Sequence, residues 1–203
     1  MRVRLCSWSL LFSACFAAGV AYGGSLTVTI GTGALAADAG AFAFDFIDGD
    51  GAVDNTITLT GFSSDAELEP SVLTGGVTGD VPGAVTFTDS EFFNELLVPV
   101  TTFGAATRFT LEYTNVAGDL PDTFSVFVLD PAALNSLLTK DLPGDALFTI
   151  TLAGDSASAV ALASAIDPAV SVTAAPEPSS LAFLVLTGSA IACLVARRSI
   201  ART

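Results

Sequence analysis

Hydrophobic and polar residues alternate with a period of two along most of the stretch between residues 24 and 172. In 42–46, three phenylalanines alternate with Ala43 and Asp45, and in 56–60 two aliphatic residues alternate with threonines. Such alternation is typical of strands with one buried face. It predicts about eight short strands, over 25–30, 42–46, 56–60, 84–88, 107–115, 123–129, 146–152 and 169–173. We therefore predict an all-β domain, built as an antiparallel, jelly-roll-like two-layer sandwich.

Three segments add detail to this prediction. Residues 123–129 are apolar on both faces, which predicts a central strand. The Thr-Asp-Ser-Glu of 88–91 matches a capping box ahead of apolar residues that share a helical face over 92–97. Asp130 before Pro131 predicts a second short helix, with Asp as the N-cap. We expect both helices to cover edges or ends of the sandwich.

The N-terminus has the layout of a secretory signal peptide over residues 1–23. Basic residues precede an apolar run over 5–20, and the small residues Ala21 and Gly23 stand where signal peptidase cuts. We therefore expect signal peptidase to process the chain and the domain to be exported. Lipoprotein processing at Cys15 and an uncleaved anchor are the alternatives.

The C-terminal segment, residues 173–203, combines three features in a fixed order. The triplet Pro176, Glu177 and Pro178 comes first, an apolar run over 180–196 follows, and Arg197 and Arg198 close it. A helix of sixteen to eighteen residues is about 24–27 Å long, near the short limit for crossing a hydrocarbon core of about 30 Å. The positive-inside rule keeps the arginines in the cytoplasm. We expect a transmembrane helix that anchors the precursor in the inner membrane.

This order of triplet, hydrophobic helix and arginine cluster resembles the PEP-CTERM sorting signal of Gram-negative bacteria that make exopolysaccharide. In that family an exosortase, a membrane-embedded cysteine transpeptidase, reads the tail. The resemblance implies that the helix is removed and the domain is delivered to the cell envelope, the outer surface or the extracellular matrix of a biofilm. A plain single-span anchor is the alternative. Segments 44–55, 88–95 and 121–130 also resemble uncharacterised PEP-CTERM ectodomains, for which no activity is established.

Composition narrows the chemistry of the predicted ectodomain, residues 24–172. Twenty Asp and Glu stand against Arg108 and Lys140, a net charge of −18, which excludes nucleic acid as a partner. The chain has no histidine, and its three cysteines lie outside the ectodomain. Histidine-based and cysteine-based catalysis and the usual zinc sites are therefore excluded. We predict that the protein is not an enzyme, and we assign no catalytic residue.

Calcium is the one cofactor that the sequence suggests. Five oxygen-bearing side chains fall within eleven residues of a Gly-rich turn, those of Asp45, Asp48, Asp50, Asp54 and Asn55. Calcium takes about six to eight hard oxygen ligands, and D-x-D-G spacing supplies several. The spacing departs from an EF-hand, because Val53 and Leu59 occupy its sixth and twelfth positions. The alternative is a solvated hairpin turn, in which Asp and Gly serve the backbone geometry.

These features together predict an exported structural or adhesive protein of the cell surface or matrix. A calcium-assisted carbohydrate-binding module is the alternative, because many such modules are sandwiches and the implied setting is rich in exopolysaccharide. Sugar sites commonly stack a ring on an exposed Trp or Tyr. The ectodomain offers only Tyr113 for this, and its twelve phenylalanines are expected mostly in the core. The structural role is therefore the favoured prediction.

Overall fold

The computed structural model describes residues 22–139, 146–154, 159–162 and 170–174. Thirteen strands make up nearly all of its regular structure, with one short 3-10 turn at Gly33–Leu35. The strands are β1 Tyr22–Gly31, β2 Gly40–Ile47, β3 Thr56–Ser64, β4 Glu67–Leu68, β5 Val72–Thr74, β6 Val77–Gly79, β7 Val85–Thr88, β8 Phe93–Thr102, β9 Ala106–Asn115, β10 Asp122–Leu129, β11 Phe148–Leu152, β12 Ala159–Leu162 and β13 Val170–Ala174.

The strands pair antiparallel in two sheets. The first sheet has the order β13-β1-β9-β3-β7-β6, and the second has the order β12-β11-β10-β2-β8-β4, with β5 also paired to β8. The predicted all-β, antiparallel architecture is confirmed at this level. Strand β10 lies between β11 and β2, as the two-sided apolar pattern of 123–129 predicted.

One hydrophobic core fills the space between the sheets, as expected of a sandwich. In β3, β7, β8 and β11 buried residues alternate with more exposed ones, so the period-two pattern defines much of the core. Phenylalanine rings from opposite sheets meet edge to face: Phe44 and Phe109 at 5.2 Å, and Phe87 and Phe124 at 5.3 Å between centroids. Each buried ring contributes about 2–3 kcal/mol relative to an exposed one. Seven of the twelve phenylalanines are fully buried, which confirms their expected place in the core.

Neither predicted helix forms, and the described residues contain no α-helix. After the turn at 89–92, β8 begins at Phe93 and buries Asn94, Leu96 and Val98 at alternate positions. The sequence 92–98 fits both a helical and an alternating pattern, and pairing with β2 decides for the strand. The capping-box prediction was wrong: the hydroxyl of Thr88, the expected N-cap, donates to the carbonyl of Gly76 at 3.0 Å instead of capping its own segment.

The second predicted helix is also absent. Asp130 accepts a hydrogen bond from the N–H of Leu134 at 3.0 Å, one residue beyond the amides that an N-cap aspartate binds. Ala133 has a φ of +54°, in the left-handed region, so a right-handed turn cannot continue there. The N–H of Leu137 then donates to the carbonyl of Val128, which holds the segment against β10.

Regular structure extends slightly beyond both expected bounds of the ectodomain. Strand β1 begins at Tyr22, within the predicted signal peptide, and Gly23 pairs with Thr114 of β9. Strand β13 ends at Ala174, inside the segment assigned to the sorting signal. Within the described residues, no helix is sufficiently long and apolar to cross a membrane. Ala21, the sorting triplet, the span 180–196 and the final arginines lie outside the described residues.

Candidate metal centre

Three connections meet at one end of the sandwich. They are the β2–β3 turn over 48–55, the β7–β8 turn over 89–92 and the β9–β10 loop over 116–121. Antiparallel pairing brings these connections together, because β2, β7 and β9 all finish at this end of the sandwich and β10 starts there. The N–H of Gly49 donates to the carboxylate of Asp122 at 2.8 Å, which joins the first turn to the start of β10.

Acidic side chains from these connections form two groups that share one member. Asp48, Asp50 and Asp122 make the first group, which we call the turn group; Asp54, Asp89 and Asp122 make the second, the buried triad. In each group the carboxylate oxygens lie within 4.8 Å of one another, which is a spacing that a metal ion can bridge. Asp48, Asp89 and Asp122 are only 8%, 1% and 2% exposed. The cluster is therefore able to hold a metal ion.

The turn group is largely occupied with backbone amides. Oδ1 of Asp48 accepts the N–H groups of Asp50 at 3.0 Å and Gly51 at 2.7 Å. Asp50 accepts the N–H of Ala52 through Oδ1 at 2.8 Å and that of Asp119 through Oδ2 at 3.1 Å. Gly51 has a φ of +80°, which the D-x-D-G sequence accommodates because glycine adopts this conformation freely. These bonds fix the shape of the turn.

The buried triad is arranged around Asn55. The amide nitrogen Nδ2 of Asn55 donates to Asp122 at 2.8 Å and to Asp54 at 2.9 Å, so it holds the two carboxylates side by side. Oδ2 of Asp89 accepts the backbone N–H of Asn55 at 2.6 Å and that of Asp54 at 3.1 Å. Oδ1 of Asp89 is buried and has no hydrogen-bond partner in the part of the chain that the structure describes.

The cluster carries negative charge that no basic side chain among the described residues compensates. Burial raises the pKa of Asp54 above its ordinary value, and the nearby charge of Asp89 adds to this. Burial likewise raises the pKa of Asp122, although hydrogen bonds from Gly49 and Asn55 partly oppose the shift. Arg108 is the one basic side chain among the described residues. It stands seven residues before the end of β9, roughly 23 Å along the strand, and so does not neutralise the cluster.

The structure brings together four of the five candidate ligands predicted from the sequence. Asp48, Asp50, Asp54 and Asn55 lie at the end of the sandwich, whereas Asp45 points to the outer face of β2, away from both acidic groups. Asn55 is placed as a donor between carboxylates. Sequence reasoning missed Asp89 and Asp122, which come from distant segments. Each directly follows or begins a strand, and this was the signal that could have placed them beside the turn.

Asp45 forms a separate acidic pair with Glu95. The two residues are cross-strand neighbours in β2 and β8, and Ser125 of β10 lies opposite Asp45 on its other side. Burial, followed by the charge of Glu95, raises the pKa of Asp45 to about 7. Oδ1 of Asp45 is buried without a hydrogen-bond partner among the described residues. This pair is suited to holding a proton at mildly acidic pH.

A shallow groove of about 560 Å³ lies beside the metal centre on the outer face of the first sheet. It is lined by Gly23, Gly24, Ser25, Thr56, Thr58, Glu112, Tyr113 and Thr114. The hydroxyl of Thr114 donates to Oδ1 of Asn55 at 3.4 Å, which connects the groove to the buried triad. The groove thus offers hydroxyl and carboxylate groups, whereas Tyr113 is partly buried and packs against the core.

No family model, curated protein or solved structure matches this chain.

Proposed function

We propose that this chain is an exported structural or adhesive protein of the cell surface or matrix, whose sandwich is closed at one end by a calcium ion. The observation that carries the calcium assignment is the acidic cluster, with buried carboxylates and no basic partner within the described residues. Its ligands are all oxygens, which calcium prefers, while nitrogen and sulfur ligands for zinc are lacking. The role is non-catalytic, because the sequence supplies neither histidine nor an exported cysteine.

A bound cation would join three connections that otherwise repel one another. Carboxylates from the β2–β3 turn, the β7–β8 turn and the start of β10 approach within 4.8 Å. Bringing such charges together without compensation is costly, and a divalent ion converts the repulsion into attraction. Calcium would therefore stabilise the end of the sandwich, as suits a protein without disulfides in an exported domain.

The C-terminal sequence supports a sorting step, and analysis of how the chain is cleaved tests it. We propose that an exosortase-type transpeptidase removes the segment after Pro176, Glu177 and Pro178. Intact-mass analysis of the surface form is expected to find neither residues 1–23 nor Arg197 and Arg198. Replacing the triplet by three alanines is expected to leave membrane insertion intact but block release, because apolarity drives insertion while the triplet is a label. Unchanged release from that variant would refute the sorting proposal.

Glycan binding is the second candidate, and the groove beside the metal centre favours it. Glu112, Thr56 and Thr58 line this groove and can form hydrogen bonds with sugar hydroxyls. Exopolysaccharide is the ligand class that the sorting resemblance implies. The test is a glycan array on the parent and on Glu112→Ala, with and without calcium. Calcium-dependent binding that the substitution removes would support this candidate over a purely structural role.

A further inference from the structure

We infer that the calcium ion binds within the buried triad of Asp54, Asp89 and Asp122, and not in the D-x-D-G turn that the sequence pattern suggests. This inference rests on the proposed calcium binding and specifies its ligands. Both groups of carboxylates contain Asp122. They differ in the other two ligands, which are Asp48 and Asp50 in the turn group and Asp54 and Asp89 in the buried triad.

The turn group already has a structural task that needs no ion. Both oxygens of Asp50 accept backbone N–H groups, one from its own turn and one from Asp119. Oδ1 of Asp48 accepts two more. Such bonds are the usual reason for Asp in tight turns, and they satisfy the carboxylate charge with amide dipoles. A turn of this kind is stable in water without a metal.

The buried triad contains an oxygen that nothing else satisfies. Oδ1 of Asp89 is buried and has no donor among the described residues, and the whole side chain is only 1% exposed. A buried carboxylate oxygen without a partner is strongly unfavourable. Two further carboxylates, from Asp54 and Asp122, each place an oxygen within 4.8 Å of an oxygen of Asp89. A cation that binds Asp89 through Oδ1 would satisfy this oxygen and compensate the charge of all three carboxylates.

The surroundings of the triad suit calcium in particular. Asn55 donates to both Asp54 and Asp122 and so fixes their spacing before the ion arrives. Asp54 is partly exposed, which gives the ion a route from solvent and leaves room for water ligands. Three carboxylates, completed by water, fit the variable coordination of calcium better than the strict octahedron of magnesium. Asn55 acts here as a positioning residue.

The experiment is calorimetric titration of the full chain in detergent with calcium chloride, using matched Asp→Asn variants. Asp54→Asn is expected to weaken calcium binding at least tenfold, because it removes one ligand charge from the triad. Asp50→Asn removes the same charge from the turn group, and it is expected to weaken calcium binding clearly less than Asp54→Asn, because Asp50 acts on the triad through its charge alone. Asp89→Asn tests the buried oxygen directly, and circular dichroism checks its fold. Because Asp54 is partly exposed, its variant keeps the test valid if Asp89→Asn does not fold.

The outcomes separate this inference from the proposal beneath it. Absence of calcium binding by the parent would overturn both. Binding by the parent that Asp50→Asn weakens as much as, or more than, Asp54→Asn would overturn the triad assignment and leave the proposed calcium binding standing. Selective loss in Asp54→Asn supports the triad.

Discussion

Asp89 and Asp45 are both carboxylates with a buried oxygen that lacks a hydrogen-bond partner among the described residues, yet they stand in different parts of the molecule. Asp89 lies in a turn, where two more carboxylates converge on it from other connections. Asp45 lies in the middle of a strand, where its one acidic neighbour is Glu95 on the adjacent strand. The first environment gathers enough oxygens for a cation. The second gathers too few, and a proton is the simpler way to remove the charge.

The difference follows from where each residue sits in the sheet. The cross-strand neighbours of a strand residue are fixed by register, so Asp45 meets only Glu95 and Ser125. The ends of a sandwich collect loops from several strands, and a residue there meets groups that are distant in sequence. We therefore expect calcium to act on the end of the sandwich and pH to act on the sheet face.

Removal of calcium is expected to have the largest effect. For an ion that binds only the folded state, a hundredfold excess over Kd stabilises by about 2.7 kcal/mol, which raises Tm by several degrees in a domain of this size. Thermal melts with calcium, with chelator and with magnesium at equal ionic strength measure it. Equal shifts with calcium and magnesium would indicate general screening instead of a site.

The calcium effect is also expected to depend on pH. Because Asp54 and Asp122 have raised pKa values, protons compete with the ion for these carboxylates as the pH falls. The increment in Tm is expected to be larger at pH 7.5 than at pH 4.5. An increment that is the same at both pH values would place the ion away from these carboxylates.

Asp45→Asn is expected to have an effect of intermediate size on stability. Unlike the removal of calcium, it is expected to stabilise the protein. The folded protein holds the proton up to about pH 7, whereas the unfolded chain releases it near pH 4, so the parent loses stability as the pH rises between these values. The substitution removes that penalty. After allowance for partial exposure, we expect a gain of about 1–2 kcal/mol at pH 8 and little change at pH 4.

Urea unfolding at pH 4 and pH 8 measures this difference. Asp38→Asn is the matched control, because it removes the same charge at an exposed position of the chain. If both variants gain equally at pH 8, relief of the overall negative charge is the cause and the local account of Asp45 is wrong.

Glu95→Gln is expected to have the smallest effect. Burial is the larger cause of the raised pKa of Asp45, and the charge of Glu95 is the smaller one. The substitution should lower the pKa of Asp45 only in part and stabilise by less than about 1 kcal/mol at pH 8. Carbon NMR titration of the Asp45 carboxyl group reports the shift. A pKa that returns to the ordinary range would make Glu95 the dominant cause.

Local patterns predicted the strands well where one face is buried. The alternation in β2, β3 and β9 fixed their type and inward residues, since Phe44, Leu59 and Phe109 are all fully buried. The prediction was wrong in β8, where an apolar run satisfies both periods and the choice depends on pairing with β2. Short strands such as β4 and β6 carry too few residues for a period to appear.

Only part of the candidate site could be predicted from the sequence, for a related reason. Asp48, Asp50, Asp54 and Asn55 are close in sequence, so a local search found them. Asp89 and Asp122 join them only through the topology of the sheets, and in the sequence Asp89 fell inside the segment that was predicted as a helix start. The buried oxygen without a hydrogen-bond partner belongs to Asp89, which lies outside the D-x-D-G motif. The spacing of that motif alone therefore favoured the turn as the site.

The position of β13 bears on how the molecule responds to a pulling force. This strand is the edge of the first sheet, pairs with β1 over five positions, and ends at Ala174, two residues before Pro176. A tension applied through the C-terminus enters the sheet at one end of an antiparallel edge pair. When the tension points away from the sheet, it loads the pair opposite Leu26 first and the pair opposite Ile30 last, so we expect the strand to peel open from that end. We expect a protein held in this way to yield one bond at a time, at the edge of the sheet.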